Sequence, residues 1–198
     1  MQQQRTLFVL PIVHNEADLG SAAAAVRSQF DAATWAARQN AIEAWWDVAQ
    51  NWVRDSARQW GGLAGTNIYQ DGLPVDAPVS RIIEQLAAAG SRNHQLLAEM
   101  TTLGATVLGT ESPELLLREV QLVKASGPRD PRTEQRARSL LEQRDRFIGE
   151  RIAATLPPGA RGILLIGVAH HVEGMLPADI QTIRPVKSMP GMSMRQAG

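Results

Sequence analysis

The sequence predicts a single α/β domain with a mostly parallel or mixed central sheet flanked by helices. Short apolar runs bounded by Gly or Pro alternate with longer segments whose apolar residues recur every three or four positions. This alternation is typical of strands joined by helices. The 198 residues suit one domain of ordinary size. We assign residues 1–187 to the domain and expect residues 188–198, which have no helical or strand period, to form a flexible C-terminal tail.

The first half of the chain predicts two strands and the helices that follow them. The apolar run at 7–14 is typical of a strand buried on both faces, and Asp18 is a candidate N-cap for the next helix. Gly61 and Gly62 end a longer helix. In order, the predicted elements are a strand at 7–14, helices at 22–30 and 33–60, a strand at 66–71, and helices at 79–88 and 93–100.

The second half predicts three more strands. Ser112 followed by Pro113 is an N-cap with proline at the first helical position, and Asp130 followed by Pro131 repeats the signal. The later helix ends before Pro157. In order, the predicted elements are a strand or strand-like turn at 106–111, helices starting at 113 and 131, a strand at 162–169, a short helical segment up to 175, and a strand at 180–186.

All five tryptophans of the chain lie in the predicted helix at 33–60. They are Trp35, Trp45, Trp46, Trp52 and Trp60. Their spacing, together with that of neighbouring aliphatic residues, gives one apolar stripe at helical period. Such stripes usually pack into the core, which is the interpretation we favour. Because Trp is also enriched at interface anchors, a homodimer through this Trp-rich helix is the alternative.

Charge and cysteine content narrow the range of functions. With 20 basic and 20 acidic residues, the formal net charge is zero, so no global field favours nucleic acid or an anionic membrane as a partner. The absence of cysteine excludes disulfides, thiolate nucleophiles and Cys-ligated metals. Any metal site must therefore use His, carboxylates, amides or water.

Several familiar sequence signals are missing. The N-terminus does not resemble a signal peptide, and no stretch reaches the roughly 18 apolar residues that a membrane span requires. We therefore expect a cytoplasmic protein without a membrane partner. The sequence also lacks GxSxG, GxxxxGK[ST], GxGxxG and HExxH, which disfavours lipase-type hydrolases, P-loop nucleotidases, dinucleotide oxidoreductases and standard zincins.

Two histidines follow strand patterns near opposite ends of the chain. His14 comes at the end of the first predicted strand, and His170 directly follows the fourth predicted strand, at 162–169. His171 comes directly after His170. Open α/β sheets bind ligands at the carboxyl ends of their strands, so His14 and His170 are candidates for one shared site. Adjacent strand residues face opposite sides, and we favour His170 over His171. Gly167, three residues earlier, allows a close backbone approach to a ligand or a neighbouring strand.

Acidic and basic residues near these strand ends extend the candidate site. Glu16 and Asp18 follow His14, and this residue set suits zinc, manganese or cobalt, although both acids also fit a helix-capping role. Asp71 ends the second strand and is either a site residue or a turn aspartate before Gly72. Glu111 is a further candidate, although it is also adjacent to the Ser112 cap, and Glu173 is near enough to orient either histidine. Arg144 and Arg146 are either solvated or able to bind a carboxylate or phosphate.

Three segments together resemble the TraB/TIKI superfamily, with its PrgY- and GumN-like members and its remote relatives, the erythromycin esterases and ChaN-like haem-binding proteins. They are Gly167-Val-Ala-His170, the helical segment 142–152, and Pro11-Ile-Val-His14, which has proline where the family usually has glycine. The resemblance implies an α/β domain in which two histidines and an acid, here Asp71, face one cleft with Arg144 nearby. It also implies metal-dependent peptide hydrolysis, with manganese or cobalt as the ion.

The sequence thus leads to a hypothesis of metal-dependent hydrolysis of a peptide, amide or ester bond. The metal ligands are His14, Asp71 and His170, Glu16 is a further ligand or base, and Arg144 completes the catalytic set. The ion is Mn, Co or Zn, and the substrate is a small molecule or peptide. Two alternatives stay open: a non-catalytic module that binds haem or another small ligand between the histidines, and a partner protein that dimerises through the Trp-rich helix.

Overall fold

The computed structural model describes residues 3–18, 23–125 and 131–187 and confirms the α/β prediction. Five parallel strands form one sheet in the order β3-β2-β4-β1-β5. The strands are β1 (Arg5–Ile12), β2 (Asn67–Pro74), β3 (Thr106–Glu111), β4 (Arg161–Gly167) and β5 (Ile180–Ile183). The predicted tail at 188–198 and the predicted cap Asp130 lie outside the described residues.

Six α-helices and one 3-10 helix of the described residues connect the strands. They are α1 (Ala23–Arg27), α2 (Ala32–Trp60), α3 (Val79–Ala88), α4 (Arg92–Thr102), α5 (Pro113–Ala125), α6 (Pro131–Thr155) and the 3-10 helix Val172–Met175. The predicted bounds of the long helices agree with these to within two residues, because Gly, Pro and capping side chains mark their ends. Within the described ranges, no helix combines the length and the apolar character needed to cross a membrane.

The sheet is buried on both faces, which explains the continuous apolar run of β1. Leu7 and Val9 point into a core formed with α6, whereas Leu10 and Ile12 point into the core formed with α2, α3 and α4. Successive strand residues face opposite sides, so a strand covered by helices on both sides needs apolar residues at every position. β1 lies between β4 and the edge strand β5.

The tryptophans of α2 pack inward, as the favoured interpretation of the stripe predicts. Trp46 is buried and donates its indole N–H to the Val13 carbonyl at 2.8 Å. Trp45 donates to the Lys187 carbonyl at 3.1 Å, and the rings of Trp52 and Trp60 pack within 5.3 and 5.2 Å of the Phe8 ring. The apolar stripe is therefore buried within one subunit. A dimer formed through α2 would need the other face of the helix.

Three strand ends differ from the predicted bounds in ways that shape the site. β1 ends at Ile12 and β4 at Gly167, so His14 and His170 lie in the loops beyond the strands. β2 continues past Asp71 through a register shift between Gln70 and Pro74, with Gly72 in the left-handed region at φ 73°. Asp71 and Gly72 therefore form an irregularity within a strand, and no chain reversal occurs there.

The connections place a crevice at the carboxyl ends of the central strands. The helices that follow β2 pack on one face of the sheet, and α6, which leads from β3 to β4, packs on the other. β2 lies between β3 and β4. In an open α/β sheet, connections that leave neighbouring strands for opposite faces open a crevice between them, where ligands bind.

Candidate functional site

A cleft of about 710 Å³ opens at this carboxyl edge of the sheet. Its walls come from the loop after β1, the end of β2, α3 to α6, and the loop after β4. Both strand-end histidines line it, as do Asp71 and Arg144. The structure therefore brings four of the five predicted site residues to one cleft.

Three potential metal ligands converge beside the floor of this cleft. One ligand atom each from Asp71, Glu111 and His170 lies within 4.8 Å of the others. We call these three residues the ligand cluster. Glu111 is fully buried, and His170 Nε2 lies 3.4 Å from Asp71 Oδ2. The cluster exists because β2, β3 and β4 are neighbours whose carboxyl ends carry these residues.

Asp145 holds the His170 ring in place. Its Oδ1 lies 2.5 Å from His170 Nδ1, and its Oδ2 accepts the backbone N–H of His171 at 2.8 Å. With Nδ1 directed to Asp145, Nε2 faces Asp71. His171 is exposed, so His170 is the histidine that lines the cleft. Metal-binding histidines usually have this arrangement, with a carboxylate on the ring nitrogen away from the ion.

Gly167 fixes the position of Asp71. Its backbone N–H donates to Asp71 Oδ2 at 2.9 Å, and a Cβ built on Gly167 would stand 3.1 Å from the same oxygen. Contact at that distance is tighter than side chains normally make, so only glycine allows the hydrogen bond without displacement. The close approach predicted from Gly167-Val-Ala-His170 is made to the neighbouring strand β2.

Arg144 on α6 joins the acidic groups of the cluster. Its Nε and Nη2 donate to Glu111, with Nη2 2.5 Å from Oε1. The same Nη2 lies 3.1 Å from Asp71 Oδ1, and Nη1 donates to Glu119 at 2.6 Å. All three guanidinium nitrogens are thus engaged, so Arg144 balances carboxylate charge and does not present a free fork to a substrate anion. Arg146, the other arginine candidate, is exposed.

Burial and charge separate the pKa values of the two carboxyl groups. Burial raises the pKa of Glu111 above its ordinary value and the Asp71 charge adds to this rise, against the opposing effect of Arg144. Burial would also raise the pKa of Asp71, but four neighbouring groups outweigh burial and hold this pKa below its ordinary value. They are the His170 charge, the Glu111 carboxyl group, the Gly167 N–H and Arg144. Of the two carboxyl groups, Glu111 is therefore the one that takes up a proton first as the pH falls.

The pKa of His170 is raised by its acidic neighbours. Burial alone would lower it, but the Asp145 hydrogen bond and the Asp71 charge prevail over burial and over the repulsion from Arg144. An imidazolium between two carboxylates occupies the place of a cation. Metal binding at Nε2 would therefore release the ring proton.

Two predicted residues lie apart from the cluster. His14 lines the cleft, but its side chain is 61% exposed, and Nδ1 lies 3.9 Å from Asp18 Oδ2. Glu16 is exposed, lies 4.0 Å from Arg27 and is not among the residues that line the cleft. β4 separates β1 from β2, so the nearest acid to Asp71 comes from β3. In the structure, Glu111 occupies the place that the sequence-based ligand set gave to His14.

Glu173 does not orient His170. Both of its carboxylate oxygens accept hydrogen bonds from Arg184 at 2.9 Å. Sequence reasoning also missed Asp145, which orients His170 from α6. The only local sign was its position next to Arg144, since the pairing joins residues 25 apart in the chain.

The cluster can hold a metal ion, as the chemistry of its donors shows. Two carboxylates and one imidazole suit Mn, Co or Zn. Ligand bonds of about 2.1 Å place tetrahedral ligand atoms roughly 3.4 Å apart. The observed separation of His170 Nε2 and Asp71 Oδ2 is 3.4 Å. The orienting carboxylate of Asp145 on the far ring nitrogen completes the fit.

Comparison of the chain with protein-family models, curated proteins and solved structures gives no match. The relation to the TraB/TIKI superfamily stays a prediction from the sequence motifs. The case for a function therefore rests on the geometry of the cleft.

Proposed function

We propose that this chain is a divalent-metal-dependent hydrolase of a peptide, amide or ester bond, with Asp71, Glu111 and His170 as the metal ligands. The observation that carries the proposal is the convergence of these three residues within 4.8 Å beside a cleft of about 710 Å³. Mn, Co and Zn are the ions that this donor set suits. The resemblance of the Gly167-Val-Ala-His170 segment to the TraB/TIKI superfamily implies the same class of activity.

The chain supplies the orientation and the charge balance of the site. Asp145 fixes the His170 ring, and the Gly167 N–H fixes Asp71. Arg144 offsets part of the negative charge of Asp71 and Glu111, which burial would otherwise make costly. When bound, a divalent metal would polarise a carbonyl oxygen and lower the pKa of a bound water.

The apolar walls and His14 complete the proposed roles. Leu116, Leu141 and Ile82 line the cleft, so part of a substrate can be held away from water. His14 lies on the cleft wall, and we assign it a role in proton transfer in place of metal binding. Glu16 has no part in the proposal because it does not line the cleft.

Adjacent histidines provide a matched test of metal binding. Titration of the apo protein with Mn²⁺, Co²⁺ and Zn²⁺, followed by calorimetry, should show one site in wild type and in His171→Ala. His170→Ala should bind at least about tenfold more weakly. Absence of binding in wild type, or equal affinity in the two variants, would refute the metal site. A hydrolysis screen with peptide, amide and ester substrates then tests the activity.

The arrangement of His170 favours a metal over the haem alternative. Nδ1 lies 2.5 Å from Asp145, and Nε2 lies 3.4 Å from Asp71. A haem held through Nε2 would have to lie against the carboxylate of Asp71. Addition of haem should therefore produce no shifted Soret band, and a band lost on His170→Ala would support the haem module instead.

A further inference from the structure

The side of the cleft away from the ligand cluster carries two amide side chains with unpaired oxygens. Gln70 and Asn93 both line the cleft, and each residue is only 3% exposed. Gln70 Oε1 and Asn93 Oδ1 are buried and have no hydrogen-bond partner among residues 3–18, 23–125 and 131–187. A buried acceptor without a donor destabilises the folded state. Two such acceptors in one cleft point to a donor that is supplied from outside.

The hydrogen bond made by the Gln70 amide nitrogen identifies which atom of this side chain is unpaired. Nε2 donates to the Asp71 carbonyl at 2.8 Å, and a carbonyl can only accept, so the unpaired atom is the oxygen. Gln70 and Asp71 are consecutive residues of β2 and face opposite sides of the sheet. The acceptors therefore lie on the α4 side, and the ligand cluster lies on the α6 side. Because the terminal torsion of an amide side chain is soft, a small rotation presents its oxygen to a group in the cleft.

The charges of the lining favour a cationic donor. Asp18, Asp71 and Glu119 line the cleft, and Arg144 is the one arginine or lysine among its described lining residues. Arg144 is already bound to acids. Burial lowers the pKa of His94, which also lines the cleft, so its ring stays neutral near pH 7 and does not offset the carboxylates. An anionic substrate group would find no unpaired arginine or lysine among the described residues that line the cleft.

We propose that the α4 side of the cleft, formed by Asp18, Gln70 and Asn93, is a subsite for the ammonium group of an amine-bearing substrate. This inference rests on the proposed function, since it names the class of molecule whose bond the metal site would cleave. A primary ammonium carries three N–H donors and one positive charge, which match the acceptors and the acidic lining. Ile82 and Leu86 of α3 provide an apolar wall for the body of the substrate.

Leucinamide and N-acetylleucinamide are the probes, because they share the apolar body and differ in the ammonium group. In ¹H–¹⁵N spectra of the metal-free protein, leucinamide should shift the side-chain NH₂ signals of Gln70 and Asn93, and N-acetylleucinamide should not. Shifts of equal size with both probes would mean that a neutral amide suffices. That result, or the absence of shifts with either probe, would overturn the ammonium subsite.

Asn93→Leu and Asp18→Asn test the subsite by substitution. Each should weaken leucinamide binding by about tenfold, because each removes a hydrogen bond or charge that the ammonium group uses. Asn93→Leu should also leave the melting temperature unchanged or higher, since it removes an unpaired buried acceptor. A lower melting temperature in Asn93→Leu, or unchanged leucinamide affinity in both variants, would contradict the inference.

Metal titration of the same variants separates this inference from the proposed function. Asn93 is not in the ligand cluster, so Asn93→Leu should bind Mn²⁺ as wild type does. Metal binding with no response to leucinamide would refute the subsite alone. A response to leucinamide without metal binding would support the subsite and refute the metal-dependent hydrolase.

Discussion

The backbone N–H of Gly167 lies 2.9 Å from Oδ2 of Asp71, and this hydrogen bond joins β4 to β2 at the site. The same oxygen is the one that faces His170 Nε2. A single atom of Asp71 thus receives a backbone donor and faces the ring that we assign to the metal.

Gly167→Ala should displace Asp71 and weaken metal binding. The added Cβ would meet Asp71 Oδ2 at 3.1 Å, so the carboxylate must move by a few tenths of an ångström. We expect roughly a tenfold loss of metal affinity, as for other changes that disturb ligand orientation. Gly174→Ala is the control, because a Cβ there meets nothing within 4 Å. Equal affinities in the two variants, measured by calorimetry, would mean that the close approach is not needed.

Asp145→Asn should impair the site without removing a proposed ligand. The change removes the charge that faces His170 Nδ1 at 2.5 Å, and loss of such a partner typically costs about 10–100-fold in metal affinity. Nitrogen chemical shifts of the His170 ring would report the change of tautomer directly. Glu142→Gln, at an exposed position of the same helix, should leave both readouts unchanged. Wild-type affinity in Asp145→Asn would show that Asp145 does not orient the ring.

Arg144→Met should destabilise the fold. Glu111 is fully buried and accepts hydrogen bonds from Arg144, so truncation leaves a buried acid without its cation. Breaking a buried pair in this way costs about 3–5 kcal/mol. Arg146→Met, at an exposed position of α6, should stay within about 0.5 kcal/mol of wild type. Urea unfolding measures both, and similar values for the two variants would contradict the charge-balancing role.

The pH dependence of stability should follow His170 in the metal-free protein. Its folded-state pKa is raised, mainly by Asp145 and Asp71 against the effect of burial. The contribution of His170 to the free energy of unfolding is therefore complete below the unfolded-state pKa of about 6.5, and it is lost as the pH rises through the folded-state pKa. The stability difference between wild type and His170→Gln should shrink over that range. A difference that grows with pH in urea unfolding would reverse the sign and refute the assignment.

Much of the fold could be predicted from local signals in the sequence. Helix α3 at Val79–Ala88 and strand β3 at Thr106–Glu111 have the predicted bounds, because Pro78 and Ser112-Pro113 mark their limits. Asp71 was harder to interpret, since an Asp-Gly pair is typical of a turn and here lies in a bulged strand. The bulge depends on pairing with β3, which local sequence does not encode.

The site was only partly predictable, for reasons of strand order. The carboxyl-end rule predicts His14, Asp71 and His170 at one site, and all three line the same cleft. It could not say which strands are neighbours, and the order β3-β2-β4-β1-β5 makes Glu111 the partner of Asp71. Glu111 carried a signal, because it ends a predicted strand. Asp145 carried none beyond its proximity to Arg144, since its contact with His170 depends on how α6 packs against the sheet.

The most direct test of the central claim is a crystal structure of the protein soaked in Mn²⁺, with an anomalous difference map. The account predicts one strong peak about 2.0–2.3 Å from His170 Nε2 and from an oxygen of both Asp71 and Glu111. A peak held by His14 and Asp18, or no peak in the cleft at saturating Mn²⁺, would contradict the account.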